Sequence, residues 1–259
     1  MKFGLIIIGD EIMSGRREDK HFAKVRDIFA VRGLMLSWVE YLGDERARIE
    51  QTIARALASG DVVFSCGGIG ATPDDHTRQS AALALGEPLA LHPEANVLIT
   101  DRARALGMED MTSQRGQNML KMGEFPASAC IIPNPYNGIP GFNCGQGYFV
   151  PGFPVMAWPM IEWVLDTHYT QYFQSMVQHL RNFYVFGLPE STITPLMEHI
   201  EAQYAGVSAF SLPSVGAEGR GRHIDLGVKG LVAQTANIEA AFTYMRAEVL
   251  RLGGLIEEE

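Results

Sequence analysis

Two glycine-led acidic segments carry the chemistry available to this chain. One is Gly9-Asp10-Glu11; the other is Gly67-Gly68-Ile69-Gly70-Ala71-Thr72-Pro73-Asp74-Asp75-His76-Thr77. Glycines let a turn bring backbone N–H groups close to an anion, and neighbouring carboxylates suit a hard cation that bridges protein and phosphate. The combination describes a phosphate site with a metal handle. Asp10, Glu11, Asp74 and Asp75 could all reach it. Each also has a duller reading, because acids commonly end buried strands and Asp favours helix caps. For Asp75 on these residues alone, the cap is the stronger reading. Thr72 and Thr77 offer hydroxyls to phosphate, although turn and cap hydroxyls are the commoner case.

These segments need strands to hold them. Phe3 to Ile8 and Val62 to Phe64 are apolar and β-rich, and each runs straight into its glycine turn. Phe22, Val25, Ile28 and Phe29 sit at helical spacing with Gly33 as a stop, and Leu34 to Leu42 reads as a strand. Asp44 reads as an N-cap for a helix carrying Ile49, Ile53, Ala56 and Leu57 that Gly60 ends. A further helix is expected from Asp75 to Leu85. The resulting β-α-β-α-β order implies a mostly parallel sheet covered on both faces. Ligands of such sheets bind beyond the carboxyl ends of the strands, where both glycine turns fall.

Later segments read as helices over Pro93–Leu106 and Thr112–Met122, and strands over Ala129–Ile132 and Gly147–Val150. Between those strands, 133–147 reads as a long Pro-, Gly- and Asn-rich loop. A helix holding Trp158, Trp163 and Leu165 follows, then a linker over Asp166–Arg181. Phe183–Phe186, Ser191–Gln203, Val207–Leu212, His223–Val228 and Thr235–Leu252 form a β-α-β-β-α series, expected to be a small α+β domain.

A net charge of −9 over 259 residues argues against non-specific binding to nucleic acid or anionic membrane. An anionic ligand must be held locally. Cys66, Cys130 and Cys144 show no Cys-x-x-Cys spacing, so neither a disulfide framework nor a zinc site is indicated. Cys66 reads as a small core residue. With no membrane span or secretory leader in evidence, a cytoplasmic protein is expected. A Rossmann fingerprint fails for want of its third glycine, and a Walker loop for want of Gly-Lys-Ser/Thr.

Together, Gly9-Asp10-Glu11 and Gly67 to Thr77 resemble the MoaB/MogA molybdopterin-binding superfamily, and more narrowly the N-terminal part of the CinA family. Tyr41-Leu42-Gly43-Asp44, Asn134-Pro135, Gly138, Pro140-Gly141-Phe142 and Pro151-Gly152-Phe153-Pro154 match further family motifs in order. The resemblance implies a three-layer αβα domain over residues 1–170 and a KH-like α+β domain over 171–259, where Phe186-Gly187-Leu188-Pro189-Glu190-Ser191 matches. It implies Asp75, with Asp74, as the catalytic pair, and Asp75, Asp10 and Glu11 as ligands of a divalent metal such as Mg²⁺. Gly67, Gly68, Gly70, Thr72, Thr77, Asp10, Glu11 and Gly152 are implied to bind a phosphate-bearing pterin or nucleotide, with molybdopterin one candidate. The readings left open are a binding protein, a metal-dependent nucleotide pyrophosphatase of ADP-ribose type, and a silent scaffold. A homo-oligomer is expected. Deamidation is not, since the family's amidase domain is not matched. Gly216-Ala217-Glu218-Gly219 reads as an acidic strand–strand turn, not an RNA-binding loop.

Two stretches depart from the family. Arg16 to His21 replaces a pattern ending in Ser/Thr-Asn, and Val155-Met156 replaces a basic residue followed by Glu. The first loop is expected to meet a different ligand group.

Overall fold

The computed structural model describes residues 1–216 and 221–258. The chain divides into two compact units, Met1–Phe173 and Gln174–Glu259.

The first unit is built on β1 (Phe3–Ile8), followed by the single turn α1 (Asp10–Met13) and α2 (His21–Val31). Next come β2 (Trp38–Leu42), α3 (Arg46–Ala58), β3 (Val62–Cys66) and α4 (Thr77–Leu85). A small antiparallel ladder pairs β4 (Leu89–Leu91) with β5 (Glu124–Pro126), with α5 (Pro93–Ala105) and α6 (Gln114–Lys121) between them. The unit closes with β6 (Cys130–Ile132), β7 (Gly141–Cys144), β8 (Gly147–Val150) and α7 (Pro154–His168).

Strand order is β2-β1-β3-β8-β7-β6. The β2/β1, β1/β3 and β3/β8 pairs are parallel, whereas β8/β7 and β7/β6 are antiparallel. The sheet is therefore mostly parallel, as expected. Register aligns Ile8 with Leu42, Ile7 with Cys66, and Cys66 with Val150. Four carboxyl ends thus finish at one level, and the loops after them share one rim.

β1 and β3 are buried along their whole length, which their unbroken apolar runs require of central strands. On one face Ile6, Ile8 and Val63 pack with Ile49, Ile53 and Ala81 of α3 and α4. The other face is aromatic. Phe3 meets Phe29 of α2 edge-on at 5.2 Å, Phe29 meets Phe64 at 5.8 Å, and Phe64 stacks on Tyr148 at 5.3 Å. Each such ring contributes roughly 1.5–3 kcal/mol by burial.

Several boundaries differ from the sequence reading. β2 begins at Trp38, four residues after the expected start. α4 begins at Thr77, because the Asp75 carboxylate folds back onto Thr72 and the Thr77 N–H is taken by Gly68 O. Asp44 does not cap α3; its Oδ2 accepts from the Asp10 N–H at 3.0 Å, and Glu45 holds the N-cap position without a side-chain bond. The expected loop over 133–147 contains β7, a strand made by pairing with β8 across a tight turn.

The second unit comprises β9 (Gln178–Phe186), α8 (Glu190–Gln203), β10 (Val207–Ser214), β11 (His223–Leu231), α9 (Thr235–Arg251) and β12 (Leu255–Glu257). Its antiparallel sheet runs β10-β11-β9-β12, with Phe183, Ile200, Leu226 and Met245 in the core. β9 starts at Gln178, inside the expected linker, and β12 adds a strand to the expected α+β series. Residues 217–219 of the glycine-flanked acidic turn lie outside the described residues.

Candidate functional site

Behind β3 the chain turns through Gly67 at φ 109° and Gly68 at φ 68°, a region where side chains are strained. A Cβ on Gly67 would strike Ile8 O, and one on Gly68 would strike Thr77 Oγ1. The turn is then locked from its inner side. Thr77, fully buried, donates its hydroxyl to Gly67 O at 3.0 Å and its N–H to Gly68 O at 3.0 Å. Arg78 donates Nη2 to Gly70 O at 2.6 Å. Gly67 donates its own N–H to Val150 O, tying the turn to β8.

In a planar trans peptide the N–H points opposite to the preceding C=O. Fixing the carbonyls of 67, 68 and 70 inward therefore turns the N–H groups of Gly68, Ile69 and Ala71 outward. None of the three has a hydrogen-bond acceptor among the described residues. All three residues line a cavity of about 510 Å³.

The same cavity is lined by Glu11, Asp74 and Asp75, and by an apolar wall of Phe153, Met156, Ile139 and Pro140. Phe153, on that wall, is 56% exposed. Asn134, buried, holds the 134–139 loop in place by donating to Asn137 Oδ1 and Ile139 O, both at 2.9 Å. The Asp75 carboxylate accepts from the Thr72 N–H at 2.8 Å and from its hydroxyl at 2.5 Å, through one oxygen, Oδ2. A Cβ on Gly70 would lie 2.5 Å from that oxygen. The Asp74 carboxyl is held below the ordinary aspartate value by the nearby Thr72 hydroxyl and its own backbone N–H.

A family model described as a probable molybdopterin binding domain matches residues 4–170, which include every one of these residues. The chain belongs to this molybdopterin-binding-domain family. A CinA-like protein of Desulforapulum autotrophicum is 31% identical over 218 residues, covering 80% of this chain and 50% of the relative. A protein of Thermoplasma acidophilum is 26% identical over 267 residues, with 98% of each chain covered. A solved structure described as the protein CinA with unknown function, from the same organism, is similar at a TM-score of 0.55. It is 26% identical, and the match covers 64% of this chain and 96% of that one. The CinA resemblance read from the motifs thus holds. The chain spans about half the length of the CinA-like relatives it matches.

Within this molybdopterin-binding domain the expected site residues are brought together unequally. Gly67, Gly68, Gly70, Thr72, Asp74, Asp75, Glu11 and Gly152 gather at the rim. Thr77 sits beneath the turn with its hydroxyl proton already used. Asp10 lines neither this cavity nor the one beside it; its Oδ1 accepts the Asp44 N–H at 3.0 Å while its own N–H returns to Asp44. Among the described residues no three His, Cys, Asp or Glu side chains form a metal-holding group. Glu11, Asp74 and Asp75 each line the same cavity.

Two residues were missed by sequence reasoning. Arg78 is only 3% exposed and spans from the glycine turn to Lys121 O and Glu124 O; burial pulls its pKa down, while Glu124 and Asp75 oppose that. His21, 4% exposed, sets Nε2 3.0 Å from Gly152 O. An arginine in a first helical turn and a histidine opening a helix both read as solvated, and nothing local marks them otherwise. Cys66 is fully buried and its thiol is pushed up by desolvation, in keeping with a core role. Among the described residues no helix is long and apolar enough to cross a membrane.

Proposed function

We propose that this domain binds a phosphate-bearing pterin or nucleotide together with a divalent cation of the Mg²⁺ type. The phosphate sits on the N–H groups of Gly68, Ile69 and Ala71, and the planar ring lies against Phe153 and Met156. The observation that carries the reading is the convergence of three unpartnered backbone N–H groups on one cavity with an apolar wall. Molybdopterin is one ligand of this kind, and membership of a family described as a probable molybdopterin binding domain favours it.

The cation follows from charge. Glu11, Asp74 and Asp75 would repel a bare phosphate, and no lysine or arginine lines the cavity to offset them. Among the described residues Asp75 Oδ1 has no hydrogen-bond partner, so Asp75, with Glu11 or Asp74, would hold the metal. A cation bound there would neutralise phosphate charge and polarise a phosphoanhydride.

Thermal unfolding with AMP, ADP-ribose and a pterin phosphate, each with and without Mg²⁺, tests the reading. Stabilisation of about 2.7 kcal/mol is expected for a true ligand at a hundredfold excess over its Kd, and only with Mg²⁺. Asp75→Asn should abolish the shift while leaving the unliganded melting temperature close to wild type. Absence of any shift overturns the reading. Phosphoanhydride cleavage of ADP-ribose in the same samples separates a pyrophosphatase from a binding protein.

A further inference from the structure

Arg78, the second residue of α4, is buried, and its guanidinium donates only to backbone carbonyls. Nη2 donates to Gly70 O at 2.6 Å, while Nη1 donates to Lys121 O and, at 3.2 Å, to Glu124 O. Nε is buried without a partner among the described residues. No carboxylate among them forms an ion pair with this side chain.

Three neutral carbonyls require donors but no net charge. An arginine stays protonated, and burying its charge without a paired carboxylate is strongly unfavourable. Burial accordingly pulls its pKa down, against the charges of Glu124 and Asp75. The fold thus keeps a positive charge that bridging carbonyls alone does not explain. What that charge acts on follows from the peptide it touches. The Gly70 carbonyl and the Ala71 N–H belong to one amide, so a charged donor on the oxygen fixes the N–H outward and polarises it into a stronger donor. Ala71 lines the acid-walled cavity, which no lysine or arginine lines, and Asp75 of that wall lies within electrostatic reach of Arg78.

We infer that Arg78 is a positioning residue for the bound phosphate, aiming and polarising the Ala71 N–H through the Gly70 carbonyl and supplying from beneath the positive charge that the cavity wall lacks. It touches no ligand itself. The inference rests on the phosphate-binding reading and names what lets a cavity lined by three carboxylates accept an anion.

The test is calorimetric titration of the whole chain with AMP in saturating Mg²⁺, at a temperature well below each variant's unfolding midpoint. Arg78→Gln removes the charge and should weaken AMP binding at least about tenfold. Arg78→Lys keeps the charge and should bind within about threefold of wild type, even though it does not restore stability. That split between affinity and stability is what a purely structural clamp would not produce. Glu124→Gln leaves Arg78 and its three hydrogen bonds in place but removes an opposing negative charge, so it should tighten AMP binding about two- to threefold. Should the Arg78 variants misfold, Glu124→Gln decides alone. Wild-type affinity in Arg78→Gln, an Arg78→Lys as weak as Arg78→Gln, or a Glu124→Gln no tighter than wild type each overturns the inference. Failure of wild type to bind AMP overturns the phosphate-binding reading itself, and the inference with it.

Discussion

The two glycine-led loops, 67–77 and 9–21, meet at one rim yet are built in opposite ways. In the first, polar groups are spent inward: Thr77 and Arg78 take the carbonyls of Gly67, Gly68 and Gly70, and Thr72 engages Asp75. In the second, Asp19 caps α2 through the His21 and Phe22 N–H groups and accepts from Tyr41, but the side chains of Arg17, Glu18 and Lys20 have no hydrogen-bond or ion-pair partner among the described residues. The lesson is a division of labour. A loop whose own hydrogen bonds are closed can present a fixed row of amides, which suits a group common to many ligands, such as phosphate. A loop with open charges can be re-sequenced at little structural cost, which suits the part of a ligand that varies.

That contrast can be broken first at Arg78. Arg78→Met keeps much of the side-chain volume but strands the carbonyls of Gly70, Lys121 and Glu124. Destabilisation of about 3–5 kcal/mol is expected in urea unfolding, and Arg78→Lys should recover little of it, since an ammonium cannot reproduce the planar fork. A loss below about 1 kcal/mol would mean that the turn is not held from within.

Glycines of the two loops give the next test. Gly67 and Gly15 both have positive φ, at 109° and 70°, but a Cβ on Gly67 meets the Ile8 carbonyl whereas one on Gly15 meets nothing within 4 Å. Gly67→Ala should cost about 2–4 kcal/mol and Gly15→Ala about 1 kcal/mol, the backbone strain alone. Similar losses at both positions would erase the distinction between the loops.

The legibility of the two loops differs for the same reason. Central strands such as β1 and β3 announce themselves because burial on both faces demands unbroken apolar runs, and glycines at 67, 68 and 70 mark a turn by chemistry local to the chain. β7 was hidden because Gly141 and Asn143 lack β propensity; its pairing with β8, not its composition, makes it a strand. Arg78 was hidden because its acceptors lie 43 and 46 residues away. His21 was hidden because Gly152 lies 131 residues away. Motif order could identify the rim, whereas which carboxylates remain free there, Glu11 and not Asp10, depends on the Asp44 contact made across the sheet.

A smaller effect is expected from the open loop's exposed cations. Arg17→Ala and Lys20→Ala should each change stability by no more than about 0.5 kcal/mol, because neither side chain has a hydrogen-bond or ion-pair partner among the described residues. A larger loss in chemical unfolding would show that the loop is structural, like its neighbour.

The smallest effect, and the one most specific to the rim, lies in Asp44. Burial raises its carboxyl above the ordinary value; the hydrogen bond from the Asp10 N–H opposes this, and the negative charges of Asp10, Glu11 and Asp74 raise it further. A folded-state pKa above the unfolded one contributes stability that is complete below the unfolded value, near 4, and fades as pH rises through the folded one. Asp44→Asn removes that titration, so wild type should lose stability relative to the variant as pH climbs through the acidic range. A cation held by Glu11 and Asp74 reverses part of the cause, since it cancels two of the three charges that push Asp44 up. Titration of the Asp44 carboxyl by ¹³C NMR should therefore move to lower pH when Mg²⁺ and AMP are added together. If the midpoint stays where it was, the metal does not sit between the two loops, and the open loop's carboxylates serve some other partner.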